Sequence, residues 1–220
     1  MSAYLAWEKK ILENFDDASI DTHYDAGFVF TRRGKGEMDQ TRSIRIDLAH
    51  FELSSENKRI LRKTEEIKMK LSSLPLSDYH WSIGKMAKDF YDTKFGQGTF
   101  SANKVKELFT HESYGNFNRV FVYSIDDKTI GYCIALETEN IIHYSYPFYA
   151  LDERINPNTG MGMMVRAIVY AQEQGKKYLY LGSAQRPGDT YKMQFKGLEW
   201  FDGRGWSKDL EGLKHVLKEV

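Results

Sequence analysis

Apolar, β-branched and aromatic residues crowd three consecutive runs, "RVFVYSI", "TIGYCIALE" and "IIHYSYPFYAL", which cover residues 119–151 with breaks at Asp126 and Asp127 and near Glu139 and Asn140. Short β-rich runs joined by tight turns predict an antiparallel meander. Before it, Ile83, Met86, Ala87 and Phe90 have helical spacing, and a second helix carrying Val105, Leu108 and Phe109 is expected after Ser101. After it, "NPNTGMGMMVRAI", residues 156–168, places Gly160 and Gly162 at the entrance of a helix whose buried face is Met161, Met164, Val165, Ile168 and Val169, ending near Gly175. "KKYLYLGSA" then reads as a strand, "QRPGDT" as a loop, "YKMQFKGLEWF" as another strand and "KDLEGLKHVLKE" as a closing helix.

The first part of the chain is less regular. Residues through about Phe15 suggest an amphipathic helix with Leu5, Ile11, Leu12 and Phe15 on its apolar side. Residues 23–51 read as two strands around a turn at Gly34 and Gly36. Ser54 and Ser55 are N-cap candidates for a helix through about Leu71, with Ile60, Leu61, Ile67 and Leu71 on one side and Lys58, Arg59, Arg62 and Lys63 on the other. The polar stretch around Pro75 is the expected boundary between a small N-terminal subdomain, 1–74, and a larger domain, 75–220.

Composition narrows the classes. At 220 residues with 41% hydrophobic and 14% aromatic content the chain buries a proper core, and no apolar run reaches transmembrane length. Without a signal-peptide pattern at the N-terminus, a cytoplasmic protein with no membrane partner is expected. The single cysteine, Cys133, sits in an apolar strand, and the six histidines lack ligand spacing, so no metal is expected. Formal net charge is zero, which argues against wrapping nucleic acid through bulk charge. A local patch is compatible with that balance, because residues 31–70 hold 11 Lys or Arg against 7 Asp or Glu.

From about residue 80 the order is two helices, three antiparallel strands, a glycine-opened helix, a strand, a loop and a strand. That order resembles the acyltransferase fold of the GNAT superfamily, which implies an α+β architecture with a mixed central sheet flanked by helices. In acetyl-CoA enzymes of that superfamily, Gln or Arg stands three positions before the first loop glycine, and backbone N–H groups cradle the pyrophosphate. Here that position is Pro157, which has neither an N–H nor a cationic side chain. A donor other than acetyl-CoA is therefore considered, with acetyl-CoA as the alternative.

Two later stretches, "YLYLGS" (178–183) and "YKMQFKGLE" (191–199), resemble the C-terminal half of the arginyl-tRNA-protein transferases and their leucyl-transferring relatives of the N-end rule pathway. Tyr191, Lys192, Phe195 and Glu199 match that family's Tyr-Lys-x-x-Phe-x-Pro-x-Glu segment, with Gly197 in place of proline. Gly160, Met161 and Gly162 correspond to its Ser-Leu-Gly, and Arg45, Phe51, Ser54, Arg59, Leu61 and Arg62 fall in its Arg-rich segment. The resemblance touches residues 24–63 and about 141–201. The family's N-terminal cysteine cluster has no counterpart here, so no metal or redox role is carried over.

The resemblance implies an aminoacyl-tRNA-protein transferase, moving an amino acid from charged tRNA to the N-terminal amine of an acceptor protein or peptide without a resident cofactor. Such a reaction needs proximity, a proton acceptor and an oxyanion partner. Glu199 is the candidate proton acceptor, and Lys192 and Tyr191 are candidates for the leaving ribose oxygen or the tRNA end. Period-two alternation in a strand would equally leave Lys192 solvated. Asp189, Tyr146, Phe148, Gly160, Gly162 and Ser183 are candidate substrate contacts, Asp189 for an amino group and the aromatics for stacking, although a turn and a core would use the same residues. Lys58, Arg59, Arg62 and Lys63, helped by Arg32, Arg33, Arg42 and Arg45, are the candidate contacts to the tRNA acceptor stem. A non-catalytic module binding tRNA or protein N-termini is a further alternative.

Overall fold

The computed structural model describes residues 4–112, 115–152 and 156–219. In chain order the elements are β1 (Glu8–Ile11), α1 (Asp17–Asp25), β2 (Phe28–Phe30), β3 (Glu37–Gln40), β4 (Ser43–Asp47), α2 (Ser55–Lys63), β5 (Lys68–Ser73), α3 (Trp81–Phe95), α4 (Ala102–Thr110), β6 (Arg119–Ile125), β7 (Lys128–Glu137), β8 (Ile141–Tyr149), α5 (Thr159–Glu173), β9 (Tyr178–Ser183), β10 (Leu198–Phe201), β11 (Trp206–Ser207) and α6 (Leu210–Lys218). A 3₁₀ segment, Pro187–Gln194, lies between β9 and β10. The expected α+β architecture is present. The chain forms two compact units, one from Met1–Ser54, Glu137–His143 and Tyr170–Val220, the other from Ser55–Leu136 and Tyr144–Val169.

In the first unit the strand order is β11-β10-β4-β9-β8. β9 runs parallel to β8, pairing Ile141, Ile142 and His143 with Tyr178, Leu179 and Tyr180, whereas β4 is antiparallel to both β9 and β10. A parallel neighbour requires a crossover helix, which α5 provides. Ile44 and Ile46 of β4 are completely buried, as expected of a strand covered on both sides by neighbours. A separate small sheet has the order β1-β3-β2. Asp16 caps α1 by accepting the Ser19 N–H at 2.6 Å, and Asp21 holds the turn before β8 through Thr138 at 2.7 Å and Asn140 at 2.8 Å.

The second unit has the order β8-β7-β6-β5, the meander expected from sequence with β5 added at its edge. Asp126 and Asp127 take φ of 46° and 61°, the left-handed pair that a tight hairpin requires. Ser101 caps α4 as expected, its hydroxyl accepting the Lys104 N–H, and Val105 and Phe109 are fully buried.

Three expectations are corrected. The chain before Phe15 contains β1 rather than a helix, because residues 8–11 pair with β3 from Glu8↔Gln40 to Ile11↔Glu37; residues 1–3 lie outside the described residues. The helix from Ser55 stops at Lys63 instead of reaching Leu71. Residues 68–73 pair with β6 in continuous register, and the Arg166 guanidinium fixes the bend by donating to the carbonyls of Thr64 and Ile67. "YKMQF" is not a strand either. Asp189 accepts the N–H groups of Gln185 and Arg186 at 2.8 and 2.9 Å and, with Pro187 at the first turn, winds this stretch into the 3₁₀ segment.

Candidate active site

Strand register determines what surrounds Glu199. β10 lies beside β4 with Glu199 directly opposite Arg45, and the Arg45 Nε donates to Glu199 Oε2 at 2.8 Å. The same guanidinium donates to Asp25 Oδ1 at 2.6 Å and to the Tyr180 hydroxyl at 3.4 Å. It is held between two rings, Tyr178 at 3.8 Å and Trp206 at 3.9 Å from their centroids. Burial opposes the charge on Arg45, but Tyr180, Asp25 and Glu199 outweigh it and raise the pKa. Arg45 is only 5% exposed, so this arginine is a buried keystone and not part of an open phosphate-binding face. Glu199, also buried, is committed to Arg45, with Lys208 at 3.7 Å as a second, exposed partner.

The carboxyl end of β9 gathers another set. Lys192 is buried by the 3₁₀ segment, and its ammonium donates to the Ser183 carbonyl at 2.8 Å. Burial lowers its pKa and Asp189, 3.8 Å away, works against that shift. The alternation that would leave Lys192 solvated does not apply to a 3₁₀ turn; Tyr191, its neighbour, is the exposed one at 44%. Asp189 is occupied with the N–H groups of the turn, so it serves as a capping residue rather than a free amine receptor. The Ser183 hydroxyl shares a hydrogen bond with Tyr4 at 3.2 Å. Arg42, immediately before β4, is buried, and its carbonyl accepts the Ala184 N–H. Arg33 pairs with Glu37 and Asp39, and Arg32 lies in the same turn after β2.

Behind these residues, His143 is fully enclosed and its Nδ1 shares a hydrogen bond of 2.9 Å with the Tyr24 hydroxyl. Desolvation, with a smaller effect from the Lys192 charge, lowers its pKa to about 3, so the imidazole is neutral at physiological pH. Tyr24 packs edge-on against Tyr180, whose own hydroxyl is raised by burial. Tyr24, His143, Tyr178, Tyr180 and Trp206 were not among the sequence candidates. "YLYLG" was legible as a strand, but nothing local indicates that its rings enclose an arginine more than a hundred residues away.

In the second unit, Gly160 and Gly162 lie inside α5 instead of in a loop before it. A Cβ at Gly162 would sit 2.5 Å from Thr64 Oγ1, and one at Gly160 would sit 2.9 Å from the Tyr149 ring. Close packing thus accounts for both glycines. The Gly162 N–H is already bonded to the Asn158 carbonyl at 2.7 Å and the Thr159 N–H to that of Asn156 at 2.9 Å. Phe148 is a core residue, and Tyr146 packs edge-on against Phe100 and Phe117. On α2, Lys58, Arg62 and Lys63 are exposed, while Arg59 is tied to Glu56. Arg32, Arg33, Arg42 and Arg45 belong to the first unit and the four α2 cations to the second.

No family profile matches the sequence. Among curated proteins, the chain is 25% identical over 169 residues to an aspartate/glutamate leucyltransferase of Saccharophagus degradans, a match covering 74% of this chain and 69% of that protein. It is 27% identical over 169 residues to an aspartate/glutamate leucyltransferase of Ruegeria pomeroyi, covering 74% of this chain and 60% of that one. Among solved structures, L-PGS from Bacillus licheniformis aligns at 12% identity over 92% of this chain and 70% of its own, with a TM-score of 0.48. Superposition this loose carries no weight for function or site. Over these 169 residues the chain is thus similar in sequence to the aspartate/glutamate leucyltransferases.

Proposed function

We propose that this chain transfers an aminoacyl group from charged tRNA to the N-terminal amine of an acceptor protein whose first residue is Asp or Glu. The observation that carries the reading is the 169-residue match to two leucyltransferases. Their names favour leucine as the group moved, with arginine the alternative suggested by the Tyr-Lys-x-x-Phe and "YLYLG" segments. Acetyl-CoA is the weaker donor, because Pro157 lacks an N–H and the Thr159 and Gly162 N–H groups are spent within the chain.

In this reaction the acceptor nitrogen attacks the ester carbonyl, a C–N bond forms, the C–O bond to the ribose breaks, and the amine proton ends on the departing ribose oxygen. Lys192, desolvated and held at the carboxyl end of β9, offers positive charge to the oxyanion and relays the proton, giving one to the leaving oxygen and regaining the one lost by the acceptor amine. Tyr191 presents an exposed ring beside it, suited to stacking on a terminal adenosine. Glu199 contributes by holding Arg45 rather than by accepting the proton. The α2 cations supply phosphate contacts that position tRNA without reading its sequence.

The test is a filter assay with radiolabelled leucyl-tRNA and arginyl-tRNA, acceptor peptides beginning with Asp, Glu, Arg or Lys, and labelled acetyl-CoA in parallel. Label passing from charged tRNA to the Asp and Glu peptides supports the reading. Label passing only from acetyl-CoA contradicts it.

A further inference from the structure

Among the described residues of the first unit, Arg42 is a buried cation whose surroundings do not explain it. It is 8% exposed, and its NH1 is sealed from solvent without a hydrogen-bond partner. Burial lowers its pKa, and no acidic group compensates. An arginine stays charged under such conditions, and a desolvated, uncompensated charge is costly. Every other buried arginine described in this unit is paired: Arg45 has two carboxylates and two rings.

The position is equally specific. The Arg42 carbonyl binds the Ala184 N–H, and the adjacent Ser183 carbonyl holds the buried Lys192 ammonium. The main chain of Arg42 and the ammonium of Lys192 are therefore held by consecutive residues at the carboxyl end of β9. The Asp189 carboxylate, 3.8 Å from Lys192, is engaged by two backbone N–H groups.

We infer that Arg42 is the receptor for the side-chain carboxylate of the acceptor's first residue. The inference rests on the transferase reading for the identity of the acceptor, and on the orphaned guanidinium for the chemistry. A flat, small anion matches the fork of an arginine that is almost closed to solvent, whereas a phosphate within a tRNA strand is flanked by two riboses and needs an open face. Binding the carboxylate supplies the missing counter-charge to Arg42.

The test separates acceptor binding from transfer. Peptides identical except for a first residue of Asp, Glu, Asn or Gln are titrated calorimetrically into the wild-type chain and the Arg42→Met and Arg42→Lys variants, without tRNA. The same proteins are melted, and their affinity for deacylated tRNA is measured. The wild type is expected to bind Asp or Glu peptides at least about tenfold more tightly than the amides, the size expected of a charge-assisted pair. Arg42→Met is expected to erase that difference while melting no lower than the wild type, since it removes an unpaired buried charge. Should Arg42→Met fail to fold, Arg42→Lys is expected to show a reduced preference, a point charge replacing a fork. Equal affinity for acids and amides in the wild type overturns the inference, as does an unchanged preference in the variants or a loss confined to tRNA binding. Transfer to Asp peptides without such a preference refutes Arg42 alone; a preference without transfer refutes the transferase reading alone.

Discussion

Replacing Glu199 by Gln decides whether this carboxylate is a support or a proton acceptor. The side chains of Arg45 and Glu199 are 6% and 9% exposed and joined at 2.8 Å, and removing one member of such a buried pair costs about 3–5 kcal/mol because the other is left uncompensated. Here the loss is smaller. Asp25 still binds the guanidinium at 2.6 Å, though its own side chain is 63% exposed and correspondingly screened. The Tyr178 and Trp206 rings also remain, and a glutamine amide oxygen retains a neutral hydrogen bond. These leave about 2–3 kcal/mol, or a melting point about 5–10 °C lower for a chain of this size. Urea unfolding followed by tryptophan fluorescence reads it, since Trp200 and Trp206 lie in this unit and Trp206 stacks on Arg45. A change under about 0.5 kcal/mol with turnover abolished refutes the structural role and returns Glu199 to the proton-acceptor role.

Gly162→Ala is expected to destabilise the second unit by about 1–3 kcal/mol in the same unfolding measurement, because the added methyl meets Thr64 at 2.5 Å, even though alanine is the better helix former; a stabilised variant contradicts the packing role. His143 gives a pH signature. Its folded pKa of about 3 lies below the ordinary 6.5, so the unfolded chain binds the extra proton between those values and stability falls as pH drops from 6.5 towards 3. The slope from this group approaches about 1.4 kcal/mol per pH unit. It is expected to be missing from urea midpoints of His143→Gln measured across that range, and an unchanged slope in the variant refutes the assignment. Reversing Lys58, Arg62 and Lys63 to Glu is expected to weaken tRNA binding and reduce the salt slope of log K by about 2–3, as for three phosphate contacts; an unchanged slope removes α2 from the tRNA interface.

Local signals made much of the second unit legible. The turn at Asp126 and Asp127, the Ser101 cap and the apolar spacing of α3, α4 and α5 each act over a few residues, and the structure contains all of them. Failures came where a distant partner or a side-chain cap decides the local form. Ile67 and Leu71 continue the helical spacing of Ile60, yet residues 68–73 are drawn into a strand by β6. Tyr191, Met193 and Phe195 alternate like strand residues, but hydrogen bonds to Asp189 from upstream N–H groups impose a 3₁₀ turn. Insertion of β4 between β9 and β10 joins residues up to 154 positions apart, so the Arg45 and Glu199 pair has no signature in either segment. Both residues stood out in the sequence; what it lacked was that they neutralise each other. Similarly, Gly160 and Gly162 marked a helix start without distinguishing a phosphate cradle from close contact with Tyr149 and Thr64.

Aminoacyl transfer leaves a covalent mark on the acceptor, which mass spectrometry reads. Purified chain is incubated with leucyl-tRNA or arginyl-tRNA and a peptide beginning with Asp or Glu, and the product is sequenced by fragmentation. One added leucyl or arginyl residue, attached to the N-terminal amine and absent from the Lys192→Met reaction, is the predicted result. An unmodified peptide with intact charged tRNA, or an acetylated peptide formed only when acetyl-CoA is supplied, contradicts the account.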